Sequence, residues 1–158
     1  MSDNAAHVAK IQETVARQRA FFHTGATRPA AVRVAALKRL KAEIKRREKI
    51  LLDALQADLH KSHFEGYMCE LGLCLDELGF LAKNLTQWSR PQRRPTPLAQ
   101  FKSKSYELAE PHGVVLVMSP WNYPYLLSLE PLFGAVAAGN CVILKPSAYA
   151  PNTSRAMA

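Results

Sequence analysis

The run Gly113-Val-Val-Leu-Val-Met118, followed after one helix's length of chain by Cys141-Val-Ile-Leu144, constrains the fold more than any other feature. Both runs are apolar and rich in β-branched residues, the pattern of strands buried on both faces. Between them Leu126 to Ala138 reads as a helix with Gly139 as its C-terminal cap, and Pro131 predicts a kink or a broken first turn. Strand, helix, strand within about thirty residues is a βαβ unit, which requires a parallel pair joined by a right-handed crossover. From Pro151 a further helix begins.

The chain upstream has a different period. Residues 30–65 contain no Gly or Pro, and Val34, Leu37, Leu40, Ile44, Leu51, Leu52, Leu55 and Leu59 recur at three- and four-residue steps. This predicts one long amphipathic helix with Lys38, Arg39, Lys45, Arg46 and Lys49 turned away from the apolar stripe. A second helix reads from Tyr67 to Trp88, with Leu71, Cys74, Leu75, Leu78, Leu81 and Leu85 on one side. A shorter polar helix precedes both, near residues 5–22, and turns at His23 to Thr27. The pattern then stops at Arg90-Pro-Gln-Arg-Arg-Pro-Thr-Pro97, where closely spaced prolines exclude helix and predict an extended segment. Weak alternation from Leu98 to Ala109 predicts a β-arm or edge strand.

With 158 residues, 48% of them hydrophobic, the chain can bury one core. A net charge of +8 directs attention to nucleic acid or an anionic small molecule. Arg28 to Lys49 carries nine Lys or Arg against two Glu, so most of the excess sits on the wet face of one helix. That run has no aromatic interleaving and no groove-reading motif, which argues against nucleic acid. His60, His63, Cys69 and Cys74 invite a zinc site, but H-x-x-H and C-x-x-x-x-C are not the spacings of structural zinc, and no metal is expected. Three cysteines in apolar surroundings, a polar N-terminus and no membrane-length apolar run fit a reducing cytoplasmic setting.

Parallel α/β sheets bind ligands beyond the carboxyl ends of their strands. Here the first strand ends in Ser119-Pro-Trp-Asn122 and the second in Lys145-Pro-Ser147, so a carboxamide, an indole and an ammonium converge on one rim. Asn122 can donate to a developing oxyanion, and Lys145 suits a ribose hydroxyl or a phosphate. The residues alone leave a plainer alternative open. Asn122 could cap the helix that Pro124 begins, and Lys145 could be a strand-end charge reaching for water. There is no G-x-G-x-x-G to decide between them.

Glu110-Pro-His-Gly-Val-Val-Leu-Val-Met-Ser-Pro-Trp-Asn-Tyr-Pro124 and Gly134-Ala-Val-Ala-Ala-Gly-Asn-Cys-Val-Ile-Leu-Lys-Pro-Ser147 together resemble the aldehyde dehydrogenase superfamily. The likeness is greatest to its class 3 branch of fatty and aromatic aldehyde dehydrogenases. Ala57-Asp-Leu-His-Lys61 resembles that branch's N-terminal helical region, so the likeness runs over nearly the whole chain from about residue 20. It implies an α/β fold, with an N-terminal helical region (1–90), a Pro-rich linker and oligomerisation arm (91–110) and the opening of a Rossmann-like NAD(P)-binding domain (111–158), left incomplete. It also implies oxidation of an aldehyde to an acid by a cysteine thiolate and NAD or NADP, in a homodimer. Asn122 is then the side-chain half of the oxyanion hole. Lys145 and Ser147 meet the adenosine ribose, Ser119, Pro120 and Trp121 line the cofactor groove, and Tyr123 is a candidate wall of the substrate tunnel.

Two departures from the family pattern matter. Members often carry Glu directly after Lys-Pro-Ser, where this chain has Ala148, which predicts tolerance of NADP. The resemblance also places the nucleophilic Cys, the general-base Glu and a glycine turn beyond this segment, and any C-terminal membrane anchor would likewise lie there. None of Cys69, Cys74 and Cys141 can replace the nucleophile, so the segment alone is expected to be inactive and prone to aggregate. The alternative is a non-catalytic piece that pairs with a full-length subunit through its arm.

Overall fold

A computed structural model describes residues 2–158. Helix α1 (Ser2–His23) is largely exposed and ends in a turn where the Thr24 hydroxyl donates to the Phe21 carbonyl at 2.7 Å, whereas the helices after it form around the stripes they bury. Helix α2 (Ala30–Arg46) buries Leu37 and Ile44, and α3 (Glu48–Leu59) buries Leu51, Leu52, Ala54 and Leu55. The run expected to be one long helix is therefore divided at Arg47 (φ −98°, ψ 9°), and α3 itself stops at His60, which adopts a left-handed conformation (φ 55°). No residue at the break disfavours helix. It arises because α2 packs on α5 and α6 while α3 packs on α7, so the two halves of one stripe serve different partners. The basic residues Lys38, Arg39, Lys45, Arg46 and Lys49 are exposed, as the period predicts.

After a single turn, α4 (His63–Gly66), the chain widens into a π turn over Tyr67–Leu71 and continues as α5 (Gly72–Trp88). The sequence pattern of Tyr67 to Trp88 gave no sign of that widening. In it the Gly72 amide donates to the Tyr67 carbonyl, five residues back. The stripe Leu71, Cys74, Leu75, Leu78, Leu81 and Leu85 is buried throughout.

The Pro-rich segment is extended. Its strand β1 (Gln92–Arg94) pairs antiparallel with β2 (Ser105–Glu107), and a short 3-10 turn at Leu98–Gln100 lies between them. This exposed hairpin is pinned by Arg94, whose guanidinium reaches Glu107 at 2.6 Å.

Strand β3 (Val114–Met118) pairs in parallel with β4 (Cys141–Lys145), in a register that sets Met118 opposite Lys145. Burial on both faces is not found. Leu116 and Met118, which alternate onto one face, are 58% and 70% exposed, while Val115 and Val117 on the other are half-buried. A two-stranded sheet packed by α1 and α6 has too few neighbours to cover both sides.

Helix α6 (Leu126–Ala138) joins the strands and runs unbroken through Pro131. The missing Pro131 amide frees the carbonyl four residues back, that of Leu127, and both residues are exposed, so water can satisfy it. Gly139 ends the helix at φ +94°, where a Cβ would also approach the Thr27 carbonyl oxygen to 3.3 Å. Helix α7 (Pro151–Met157) follows β4. One apolar cluster joins α2, α3 and α5 to Tyr125, Leu129, Phe133 and Ala137 at α6 and to Ala156 on α7.

Candidate functional site

The parallel register brings the two strand ends side by side. The Ser119 amide donates to the Lys145 carbonyl at 3.3 Å, extending the ladder one step past β3. Ser119 is buried, with its hydroxyl 2.5 Å from that of Ser128 on α6. Pro120, Trp121, Asn122 and Tyr123 then leave the sheet as an exposed loop, and Lys145 and Ala148 are exposed beside it. Ser147 is buried and accepts from the Tyr149 amide at 3.2 Å, which fixes the turn that starts α7. The site is thus an open rim of two loops. Hollows of about 290 and 310 Å³ lie elsewhere, between α2 and α5, and share Lys41 in their linings. The chemistry converges at the strand ends, so the site is assigned there.

Asn122 does not cap α6. The helix begins at Leu126 without a side-chain cap from its own loop, and the Tyr125 and Leu126 amides donate instead to Glu70 Oε2 at 2.8 and 3.3 Å. Asn122 and Lys145 are both exposed, and among the described residues neither the carboxamide nor the ammonium has a protein partner. Glu70 is fully buried, and its other oxygen, Oε1, takes a salt bridge from Lys61 Nζ at 2.7 Å. Lys61 also donates to the Asn122 carbonyl at 3.2 Å and lies 4.0 Å from the Tyr123 ring centroid. The other end of α6 is held by Arg33, which donates to the Ala137 carbonyl at 2.6 Å and to Ser89 Oγ at 3.1 Å. A carboxylate at the amide end and a guanidinium at the carbonyl end both match the helix dipole. Asp58 does for α7 what Glu70 does for α6, accepting from the Asn152 and Thr153 amides at 3.1 and 2.7 Å.

Residues 2–158 match the sequence profile described as "Aldehyde dehydrogenase family". This chain belongs to the aldehyde dehydrogenase family. It is 42% identical to human aldehyde dehydrogenase family 3 member B1 over 148 residues, which are 94% of this chain and 32% of the relative. It is 40% identical over 152 residues to the dog protein named "Aldehyde dehydrogenase, dimeric NADP-preferring", covering 96% of this chain and 33% of that one. Among solved structures, a substrate-bound state of Staphylococcus aureus AldH superposes with a TM-score of 0.91 at 41% identity, covering 93% of this chain and 32% of that chain. The chain spans about a third of the length of the curated relatives it matches.

Within this aldehyde dehydrogenase segment two of the three thiols, Cys74 and Cys141, are poorly suited to attack. Burial pushes Cys74 up to about 12, with help from the nearby Glu130 and Glu70 carboxylates, and burial also raises Cys141. Among the described residues no three or more His, Cys, Asp or Glu are grouped to hold a metal, and His63 is engaged with Asp53 at 3.0 Å. Among the described residues no helix is long and apolar enough to cross a membrane. Sequence reasoning passed over Glu70, Lys61, Asp58 and Arg33 as site-shaping residues. One signal was present for Glu70: it shares the four-residue steps of Cys74 and Leu78, and a carboxylate on an apolar stripe needs a partner.

Proposed function

We propose that this chain is the first part of an enzyme that oxidises an aldehyde to a carboxylic acid, with water as the oxygen donor and NAD or NADP reduced in the process. The observation that carries the reading is the pairing of Met118 with Lys145, which sets an unpartnered carboxamide and an unpartnered ammonium at one sheet edge. When a nucleophile adds to the aldehyde carbonyl, negative charge grows on its oxygen, and Asn122 Nδ2 is free to donate to it. Because the Tyr125 and Leu126 amides donate to Glu70, Asn122 Oδ1 is not spent on capping α6, and the carboxamide is free to turn its Nδ2 toward that oxygen. The nucleotide cofactor supplies the hydride acceptor. The residues fit it: the Lys145 ammonium is exposed and unspent for a ribose hydroxyl, with Ser147 beside it, and Ser119, Pro120 and Trp121 form the adjoining wall. Tyr123, 40% exposed, borders the approach to Asn122 and is assigned to the substrate side.

In this reading residues 1–90 are the helical support, 91–110 the arm of a homodimer, and 111–158 the opening of the cofactor-binding domain. The dog relative is named as dimeric and NADP-preferring, which supports both the dimer and the use of NADP. The nucleophilic Cys and general-base Glu come from residues beyond this segment, in a cytoplasmic enzyme. The exposed methyl of Ala148 puts no carboxylate near a 2′-phosphate, so NADP should serve comparably to NAD.

The test joins residues 1–158 in frame to the complementary C-terminal part of the Staphylococcus aureus relative and follows NADH or NADPH formation with hexanal. Activity with both cofactors is expected. Asn122→Ala should lower kcat by about 10²–10³-fold, and Ala148→Glu should shift preference toward NAD. A folded but inactive protein would overturn the proposed activity, and a strong preference for NAD before substitution would overturn the role of Ala148.

A further inference from the structure

Glu70 and Lys61 form a buried ion pair that the chemistry above does not use. If it served only to cap α6, the Tyr125 and Leu126 amides would account for all of Glu70 Oε2, and Lys61 would need no further bond. Yet Lys61 Nζ, at the end of an 11%-exposed side chain, also reaches the Asn122 carbonyl and seats itself over the Tyr123 ring. The pair therefore grips both ends of the segment Asn122 to Leu126. Two backbone irregularities lie beside it. His60, just before Lys61, holds φ at 55°, and Glu70 lies in the π turn Tyr67–Leu71. Left-handed backbone at a non-glycine residue and widened helical turns both persist where the surroundings require them.

We propose that Lys61 and Glu70 are positioning residues that fix the backbone of Asn122, and through it the direction of the carboxamide that meets the oxyanion. The inference rests on the proposed role of Asn122 as that donor. The physical need is plain. The carboxamide has no side-chain partner of its own, so its place is set by its Cα, and Lys61 bonds the carbonyl attached to that Cα. Donors to a developing oxyanion act by being fixed beforehand, and a misplacement of about 1 Å can cost about a hundredfold in rate. The charge of Lys61 is balanced by Glu70, whose remaining lone pairs are taken up by α6, so neither ion is buried unpaired.

Two measurements test this. Hydrogen exchange of the chain itself reads the loop directly. In Lys61→Met and in Glu70→Gln, peptides covering residues 119–127 should exchange at least about tenfold faster, while those from α2 and the middle of α5 keep their wild-type rates. The joined enzyme of the previous section reads the consequence. There Lys61→Met should lower kcat by about 10–100-fold with KM for NADP unchanged, and in an Asn122→Ala background it should cost nothing further. That loss of additivity separates positioning from general destabilisation, which would multiply the two effects. If single variants do not fold, Lys61→Met with Glu70→Gln leaves no unpaired buried charge and takes their place. Unchanged exchange over residues 119–127, or fully multiplicative losses of kcat, would overturn the proposal. Should Asn122→Ala leave kcat intact, the oxyanion role falls, and the exchange result alone decides whether the pair holds the loop.

Discussion

At the scale of single residues, carboxylates from the helical region reach across the fold to the helices that follow each strand. Asp58 is the clearer case for titration. Burial works to raise its pKa, but bonds from the Thr153 and Asn152 backbones and the Asn152 carboxamide prevail and hold it below the usual carboxylate range. A carboxyl lowered on folding contributes stability that is complete above its unfolded value and lost as pH falls through its folded one. Asp58→Asn should therefore cost about 1–2 kcal/mol at neutral pH, measured by urea unfolding. The gap to wild type should begin to narrow near about pH 4, the ordinary carboxylate value, and close only below the lowered folded value, once the native carboxyl is itself protonated. A gap that persists unchanged into acid would mean that shape, not charge, holds α7.

At the scale of elements, α6 is the piece on which both loops depend. It carries one misplaced charge. Burial raises the Glu130 pKa, and the facing Glu77 carboxylate raises it further. The sign is opposite to that of Asp58: a carboxyl raised on folding burdens the fold at neutral pH, and the burden lifts as pH falls through the raised value. Glu130→Gln should raise the Tm at pH 7 and leave it unchanged near pH 4. A lower Tm at pH 7 would show that the carboxylate makes a stabilising contact. The helix itself was legible in the sequence, as were β3, β4 and the Gly139 cap, because apolar period and glycine placement are local signals. The division at Arg47 and the π turn were not, since each answers to what packs against it and no residue type marks either. The same limit applies to the site. Asn122 and Lys145 could be found from their positions at strand ends, whereas the bond from Lys61 to the Asn122 carbonyl spans sixty-one residues and has no pattern in the chain.

At the scale of the whole molecule, the sheet has an uncovered side. Leu116, Met118 and Trp121 are each more than half exposed, and they cluster at or next to β3. Beside them β3 and β4 have a single strand partner each, leaving two edges able to pair with other chains. As a separate polypeptide, the aldehyde dehydrogenase segment presents apolar surface and open edges together, the combination that drives association at micromolar concentration and above. Sedimentation velocity should show the chain growing in mass as its concentration rises. Leu116→Lys with Met118→Lys should return it to a monomer, because both side chains lie on the open face and neither belongs to the core cluster. Its Tm should hold for the same reason. If association persists in that variant, the exposed β1–β2 hairpin is the next surface to alter, since its strands also have a free edge each. If the unsubstituted chain stays monomeric throughout, the open face is too small to drive association, and the segment can be studied as an independent folding unit.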